Sequence, residues 1–560
     1  MNKKIRVIAL VLAASMLLSL SACKINVGVH GKVSVSSEEA TGSETTTEAT
    51  TTSATTTTTA TEETTEETVY PEKGCKIEFK PQDKRYHYDM DLTLNTDKNT
   101  VGGHVEFSFF NDTDKDWDKL CLRDYSSLYK FPKKVGYDSA VKTHGEITDI
   151  KNIKDGRTGS EIKMERDEDV SVVWLPLASK LAPGEKMTLS YDFVATVPTV
   201  ADRYGVQDGV YNVTNFYPIL AEYTDDGWSH EAFYSTGECF FSEISDYDVR
   251  LTVPEKMTVL STGLETGENA SSGSKTITIH ADCVRDFVFC ASKDFKILEG
   301  DYKDTHIRVA YTEEDKAKFY KKCAEESLRV AKESLEAFGS AFGEYPYKDL
   351  EVVLAPIAAG GMEYPNLVII SKEIPMGLPD SELDNYAVNM AESVVSHEVG
   401  HQWFMGIVGS NSGLQPWLDE SFASYTERVY ENFKDPGILG GSTYIVEENY
   451  DYSGMHNHSG SDEENPYVPI NRSFYEFPDE WSFVMGVYTH GQAVLSMMQS
   501  AVGYDNFLGI IREYVQNNAF RKADQKDFFD VLYKHAGVHN KKLNQIIADN
   551  FDEKVQPPEA

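Results

Sequence analysis

The sequence predicts a two-part fold: an all-β, sandwich-like domain over residues 75–297, then a mixed α/β domain over residues 298–560 that ends in helices. Three observations predict it. Apolar and polar residues alternate through Tyr88–Leu94, Val105–Phe109 and Tyr247–Val253, the signature of half-buried strands. Beyond about residue 300, short apolar runs alternate with long stretches of helical periodicity, as an α/β layer architecture requires. The segment from Ser34 to Val69 is almost wholly Thr, Ser, Ala and Glu, so it lacks the apolar side chains that would offset chain entropy and lies outside either core.

The elements follow in chain order. Lys3, Lys4 and Arg6 precede an apolar run from Val7 to Leu20, which reads as a secretory signal over residues 1–22 and is short for a mature membrane span. The tetrapeptide Leu20-Ser21-Ala22-Cys23 resembles the lipobox of bacterial lipoproteins. That resemblance implies cleavage before Cys23, a lipid on its sulfur, and an exported chain held at the cell membrane, facing outside the cytoplasm. Residues 23–74 then form a disordered spacer, of which the Thr/Glu-rich part reaches roughly 30–35 Å as a coil. In the β domain, Asn111-Asp112 and Pro254-Glu255-Lys256 mark turns between strands. After it come a strand at His306–Tyr311, a helix from Glu314 to Phe338, and strands at Leu350–Leu354 and Leu367–Ile370. Helices are expected at Asp384–Met405, Glu420–Asn432, Val487–Val502, Tyr504–Asn517 and Gln525–Ala536.

Composition narrows the function classes. The net charge of −37 offers no basic stripe, which excludes nucleic acid as a partner. Apart from Cys23, the six cysteines Cys75, Cys121, Cys239, Cys283, Cys290 and Cys323 match no paired zinc-thiolate spacing. Disulfide pairing among them stays open, as does oligomeric state. Cys239, Cys283 and Cys290 sit in strand-like stretches and read as small buried apolar residues.

The chemistry concentrates at His397-Glu398-Val399-Gly400-His401. On a helix the two histidines stand one turn apart on one face and can hold a single Zn²⁺, with Glu398 beside the open position as a general base. Glu420 follows after 18 intervening residues, and a carboxylate from a second helix would complete three ligands with a fourth place for water. A chance His-Glu-x-x-His arises in roughly one chain in 35 of this composition, and a Glu at one fixed later offset lowers that to about one in several hundred.

Four stretches together resemble the aminopeptidase N family of gluzincins, in a short bacterial lipoprotein form. They are His397-Glu398-Val399-Gly400-His401-Gln402-Trp403-Phe404, Trp417-Leu418-Asp419-Glu420-Ser421-Phe422-Ala423, Gly360-Gly361-Met362-Glu363-Tyr364, and Tyr488-Thr489-His490-Gly491. The β domain resembles that family's N-terminal domain at 102–111 and 247–253. The resemblance implies a thermolysin-like catalytic domain and one Zn²⁺ held by His397, His401 and Glu420. It implies a zinc-bound water as nucleophile, Glu398 as general base, and Tyr488 as hydrogen-bond donor to the oxyanion. Glu363 would bind the free α-amine of a peptide, with Gly360, Gly361 and Met362 forming the edge along which its backbone lies.

The chain departs from the family pattern at three places. Tyr364 stands where the family has Asn, which puts the amine-site geometry in question. Asp419 replaces the Asn before the ligand Glu, with little effect on the metal expected. Only 140 residues follow Glu420, so the large C-terminal helical domain of long members is missing and a more open cleft is expected. No β-domain residue that would assist Glu363 is identifiable from the sequence. The reading is a zinc aminopeptidase acting on peptides; an endopeptidase with an open cleft and a non-catalytic peptide-binding lipoprotein remain the alternatives. The pair His456 and His458 reads as a loop.

Overall fold

The computed structural model describes residues 70–79, 85–235, 237–238, 240–313, 316–374, 377–436, 468–553 and 555. The signal segment, Cys23, most of the spacer, Cys239 and the His456/His458 pair lie outside the described residues. No helix among the described residues is long and apolar enough to cross a membrane.

The first domain is built on an eight-stranded sheet. Its order is Leu264–Ser271, Ser274–Val284, Ser245–Pro254, Tyr86–Asn95, Thr100–Phe110, Lys186–Thr196, Asp149–Asp155 and Ser160–Glu161. The three alternating runs are central strands here, each longer than its apolar pattern by a few residues. Tyr88, Met90, Leu92 and Leu94 point inward. Tyr88 stacks on Phe107 at 4.0 Å and on Tyr247 at 4.9 Å, a cross-strand aromatic ladder that ties three neighbouring strands. Phe109 extends that ladder to Trp117 in a second sheet of four strands, with ring centroids 6.4 Å apart. The two sheets face each other as a sandwich does.

A third sheet is what positions the site. Its strands, Thr258–Ser261, Phe289–Ser292, Val210–Val213 and Gly205–Gln207, carry Leu260, Cys290 and Val210 into one core with Val353, Met362, Leu367 and Ile369 of the second domain. The domains therefore share a buried apolar seam, as a large hydrophobic interface must if it is to hold two domains in fixed relation.

The second domain has a five-stranded mixed sheet in the order Phe295–Tyr302, Thr305–Thr312, Asp349–Ala355, Leu367–Ser371 and Gly361–Tyr364. The expected boundary at 297/298 falls inside the first of these strands. Its antiparallel ladder to Thr305–Thr312 makes it part of the second sheet. Asp349–Ala355 is buried throughout, because helices cover one face and the third sheet the other. The helix Ala317–Phe342 ends at Gly343, whose φ of 121° no side chain adopts easily. Helices Tyr504–Asn518 and Gln525–Ala536 fall where the sequence places them. Cys121, Cys283, Cys290 and Cys323 are buried free thiols.

Candidate metal centre and active site

The two histidines reach their places through a broken helix. In place of one helix over Asp384–Met405, the chain runs α-helical from Leu383 to Met390, makes a π turn over Ala391–Val395, resumes an α turn over Ser396–Gly400, and then bends away. Local needs explain the motif residues. A Cβ on Gly400 would lie 2.1 Å from Thr426 Oγ1, so glycine lets this helix close on the helix Glu420–Lys434. The Gln402 amide donates to the Tyr364 carbonyl at 3.1 Å and accepts from Asn366 N at 3.0 Å, fastening the histidine segment to the sheet edge. The Trp403 indole, fully buried, donates to Gly343 O at 2.9 Å.

Three donor atoms converge there. His397 Nε2 and His401 Nε2 are 3.1 Å apart, and each lies 3.4 Å from Glu420 Oε2. A tetrahedral zinc with ligands at roughly 2.0–2.1 Å spaces its donors roughly 3.3–3.4 Å apart, so the triangle has the size of that site. The outer nitrogens are already committed. His401 Nδ1 meets Asp419 Oδ1 at 2.7 Å, and His397 Nδ1 meets Glu427 Oε1 at 3.0 Å. With their protons on Nδ1, both Nε2 atoms aim lone pairs at one point, an arrangement that calls for a cation between them. Glu420 Oε2 is buried without a hydrogen-bond partner among the described residues, an orphaned acceptor of the kind a metal satisfies.

Sequence reasoning missed the role of the two outer carboxylates. Glu427 lies seven residues after Glu420, two turns on along the same helix face, and that spacing was a usable signal. Asp419, noted in the sequence as standing where the family has Asn, is fully buried, and its other oxygen accepts from Ser412 Oγ at 2.6 Å, so it orients His401. Replacing Asp419 by Ala should weaken zinc binding about ten- to a hundredfold, as loss of a partner behind a ligand does. Competition against a chelator measures this, and an unchanged affinity would remove the orienting role.

Around the triangle stand the other expected residues. Glu398 is buried, with Oε2 unpaired, and burial, opposed by His397 and His401, pushes its carboxyl up to about 7. Gly361 opens the strand Gly361–Tyr364 at the edge of the sheet, where a Cβ would fall 2.1 Å from Glu398 Oε1. Only glycine leaves room for the base there. Gly360 precedes that strand, its carbonyl accepting from Ser371 N at 2.9 Å, and Met362 is buried in the seam between domains. Glu363 is 5% exposed, and no hydrogen bond or ion pair to its carboxylate occurs among the described residues. Burial and then the nearby Glu238 carboxylate raise it well above the usual range. Tyr488 sits in a π turn, Met485–His490, with its ring 6.0 Å from that of His397 and nearly parallel to it. The turn is pinned by Ser421 Oγ donating to Val487 O at 2.6 Å, and Gly491 permits the close approach, since a Cβ there would meet Ser421 Oγ at 2.0 Å. Burial first and then the Glu420 carboxylate keep the Tyr488 phenol protonated.

The β domain supplies a further carboxylate that the sequence did not reveal. Glu238 accepts from Arg203 Nη1 at 2.6 Å, and its charge acts on Glu363 and Glu398. It lies in a run with no periodic pattern, so nothing in the sequence singled it out. Tyr364 also finds a role. Its hydroxyl lies 2.8 Å from Thr214 Oγ1 and 2.9 Å from Asn215 Oδ1, so the residue after Glu363 bonds the edge strand to the β domain.

Comparison with known proteins agrees with this architecture. Residues 326–551 match the peptidase family M1 domain. Aminopeptidase M1-B of Oryza sativa subsp. japonica is 29% identical over 254 residues, 44% of this chain and 27% of the relative. Tricorn protease-interacting factor F2 of Thermoplasma volcanium is 25% identical over 258 residues, 45% of this chain and 30% of the relative. Aminopeptidase Q of Mus musculus is 26% identical over 196 residues, 34% of this chain and 33% of the relative. The matches thus span about a third or less of these relatives' lengths. Crystal structures of the M1 zinc metallopeptidase from Deinococcus radiodurans and of a two-domain M1 zinc metallopeptidase each align with a TM-score of 0.55. Both are 17% identical and cover 85% of this chain and 96% of theirs, a likeness of fold.

Proposed function

From the premise that this chain carries a peptidase family M1 domain, which makes it one of the aminopeptidase N-like gluzincins, we propose that it removes N-terminal residues from peptides in a zinc-dependent hydrolysis. One observation carries the reading. Glu363 is a buried carboxylate, unpaired among the described residues, on the edge strand whose Gly361 abuts Glu398. A buried anion without a partner is costly, and a free α-ammonium is the ligand that relieves it.

His397, His401 and Glu420 would hold the zinc, which when bound supplies Lewis acidity to water and to the scissile carbonyl. The chain's own groups do the rest. Glu398 accepts a proton from the attacking water and delivers it to the leaving amine, a task suited to a buried carboxylate whose Oε2 has no partner among the described residues. Tyr488, protonated, donates to the carbonyl oxygen as negative charge develops on it. The edge strand offers its free side to the peptide backbone, and Gly360 and Gly361 allow that approach. Glu363 then fixes where the peptide begins, so the bond cut is counted from the N-terminus. The basic, then apolar leader and Cys23 support an extracytoplasmic, lipid-anchored setting for this activity.

Paired peptides test the reading. A free-amine peptide should be cleaved and its N-acetylated twin left intact. Glu363→Ala should lower kcat/KM on the free-amine peptide about ten- to a hundredfold, the worth of one charge-assisted contact, while zinc content stays stoichiometric. Equal cleavage of both peptides by the wild type would make the protein an endopeptidase.

A further inference from the structure

Beside Glu363 the domains form a partly open pocket, whose walls include Tyr217, Phe240 and Met362 as well as Glu238, Arg285 and Asp286. Its charges do not balance. Glu238 is paired with Arg203. The guanidinium of Arg285 is taken up by backbone: Nε donates to Met405 O at 2.7 Å, Nη1 to Ser242 O at 3.0 Å and Nη2 to Arg521 O at 2.8 Å. The Glu243 carboxylate acts on it as counter-charge. Glu363 and Asp286 are left over.

Asp286 is 7% exposed and comes from the β domain. Its Oδ1 accepts from the Tyr217 hydroxyl at 2.6 Å and from Phe287 N at 2.8 Å, and its Oδ2 accepts from Asn215 Nδ2 at 3.2 Å. These donors are neutral, and no ion pair to Asp286 occurs among the described residues. Without a cation, burial pushes its carboxyl up to about 7. Asn215 also accepts from the Tyr364 hydroxyl, so the Asp286 carboxylate is tied through one side chain to the residue after Glu363.

Resting on the aminopeptidase reading above, we propose that this cavity receives the side chain of the substrate's N-terminal residue and that Asp286 selects lysine or arginine there. Two uncompensated carboxylates match the two positive charges of such a residue, Glu363 taking the α-ammonium and Asp286 the side-chain cation. The aromatic and thioether walls suit the aliphatic stem that carries that cation.

The test compares lysine with norleucine, which has a similar stem and no charge. The wild type should hydrolyse lysyl 4-nitroanilide with kcat/KM about ten- to a hundredfold above norleucyl 4-nitroanilide, and Asp286→Asn should erase that difference by lowering the lysyl rate. Binding of lysinamide and norleucinamide to the zinc-loaded Glu398→Gln protein, followed by calorimetry, gives a second readout that needs no turnover. Tighter binding of lysinamide, lost when Asp286→Asn is added, supports the assignment. Equal treatment of the two side chains by the wild-type protein overturns it, whether or not the Asn variant folds. An equal loss on both substrates in a folded Asn variant overturns it too. Failure of every free-amine substrate sinks the aminopeptidase reading instead, and calorimetry then decides the pocket alone.

Discussion

Replacing Glu398 by Gln should lower kcat about a thousandfold while zinc remains stoichiometric and the fold unchanged. The carboxyl is buried beside the two histidines, and its Oε2 has no partner among the described residues, so no internal hydrogen bond depends on its charge. Glutamine fills the same space, an important point where Gly361 leaves no slack around Oε1. What glutamine lacks is a lone pair basic enough to take a proton. A positioned general base is worth about 10² to 10⁴ in rate, and a thousandfold corresponds to about 4 kcal/mol of barrier. The measurement is turnover of a free-amine peptide alongside zinc content by atomic absorption. A variant that keeps more than a tenth of the wild-type rate would show that another group moves the proton.

Replacing Glu420 by Ala should have the opposite profile, with zinc lost and activity gone because the metal is gone. This carboxylate closes the donor triangle, and without it two imidazole nitrogens 3.1 Å apart must hold the ion by themselves. Losing a partner behind a ligand already lowers affinity about ten- to a hundredfold, so losing a ligand lowers it by more than about a hundredfold. Thermal melting supplies an independent check. At a free zinc concentration about a hundredfold above its dissociation constant, the wild type gains about 2.7 kcal/mol, and its Tm rises accordingly. The Glu420→Ala variant should melt at one temperature with or without that zinc. Stoichiometric zinc in the purified variant would remove Glu420 from the ligand set. The two substitutions thus separate the metal from the base: one keeps zinc and loses turnover, the other loses both.

Much of this was legible in the sequence where the controlling forces are local. The helix Gln525–Ala536 appears with its expected ends because the signals lie within the segment: the Asp524 side chain accepts from Lys526 N and Asp527 N, and Gly537 follows with φ of 75°. The strand Tyr86–Asn95 was legible because one face is buried and the other is wet, and alternation reports that directly. The helix through His397 was legible in kind but not in shape. Its π turn over Ala391–Val395 and its early end after Gly400 have no periodic signature, and the same holds for the π turn that carries Tyr488. The strand Phe295–Tyr302 was assigned across a boundary because its partner, not its composition, decides which sheet it joins.

The convergence of His397, His401 and Glu420 was legible because residues four apart on a helix share a face whatever surrounds them and the spacing to Glu420 is fixed along the chain; their donor atoms lie within 3.4 Å of one another. The surroundings of that site arise from packing between distant segments. Asp419 and Glu427 stand behind the histidines because the helix Glu420–Lys434 packs on the turn Ser396–Gly400, whereas Glu238 beside Glu363 and Asp286 in the adjoining cavity come from two other stretches, both of the β domain. Those last two reach the site because the third β sheet packs its apolar face on the five-stranded sheet of the second domain. Contacts between distant segments depend on how whole layers dock, and no window of residues encodes that docking.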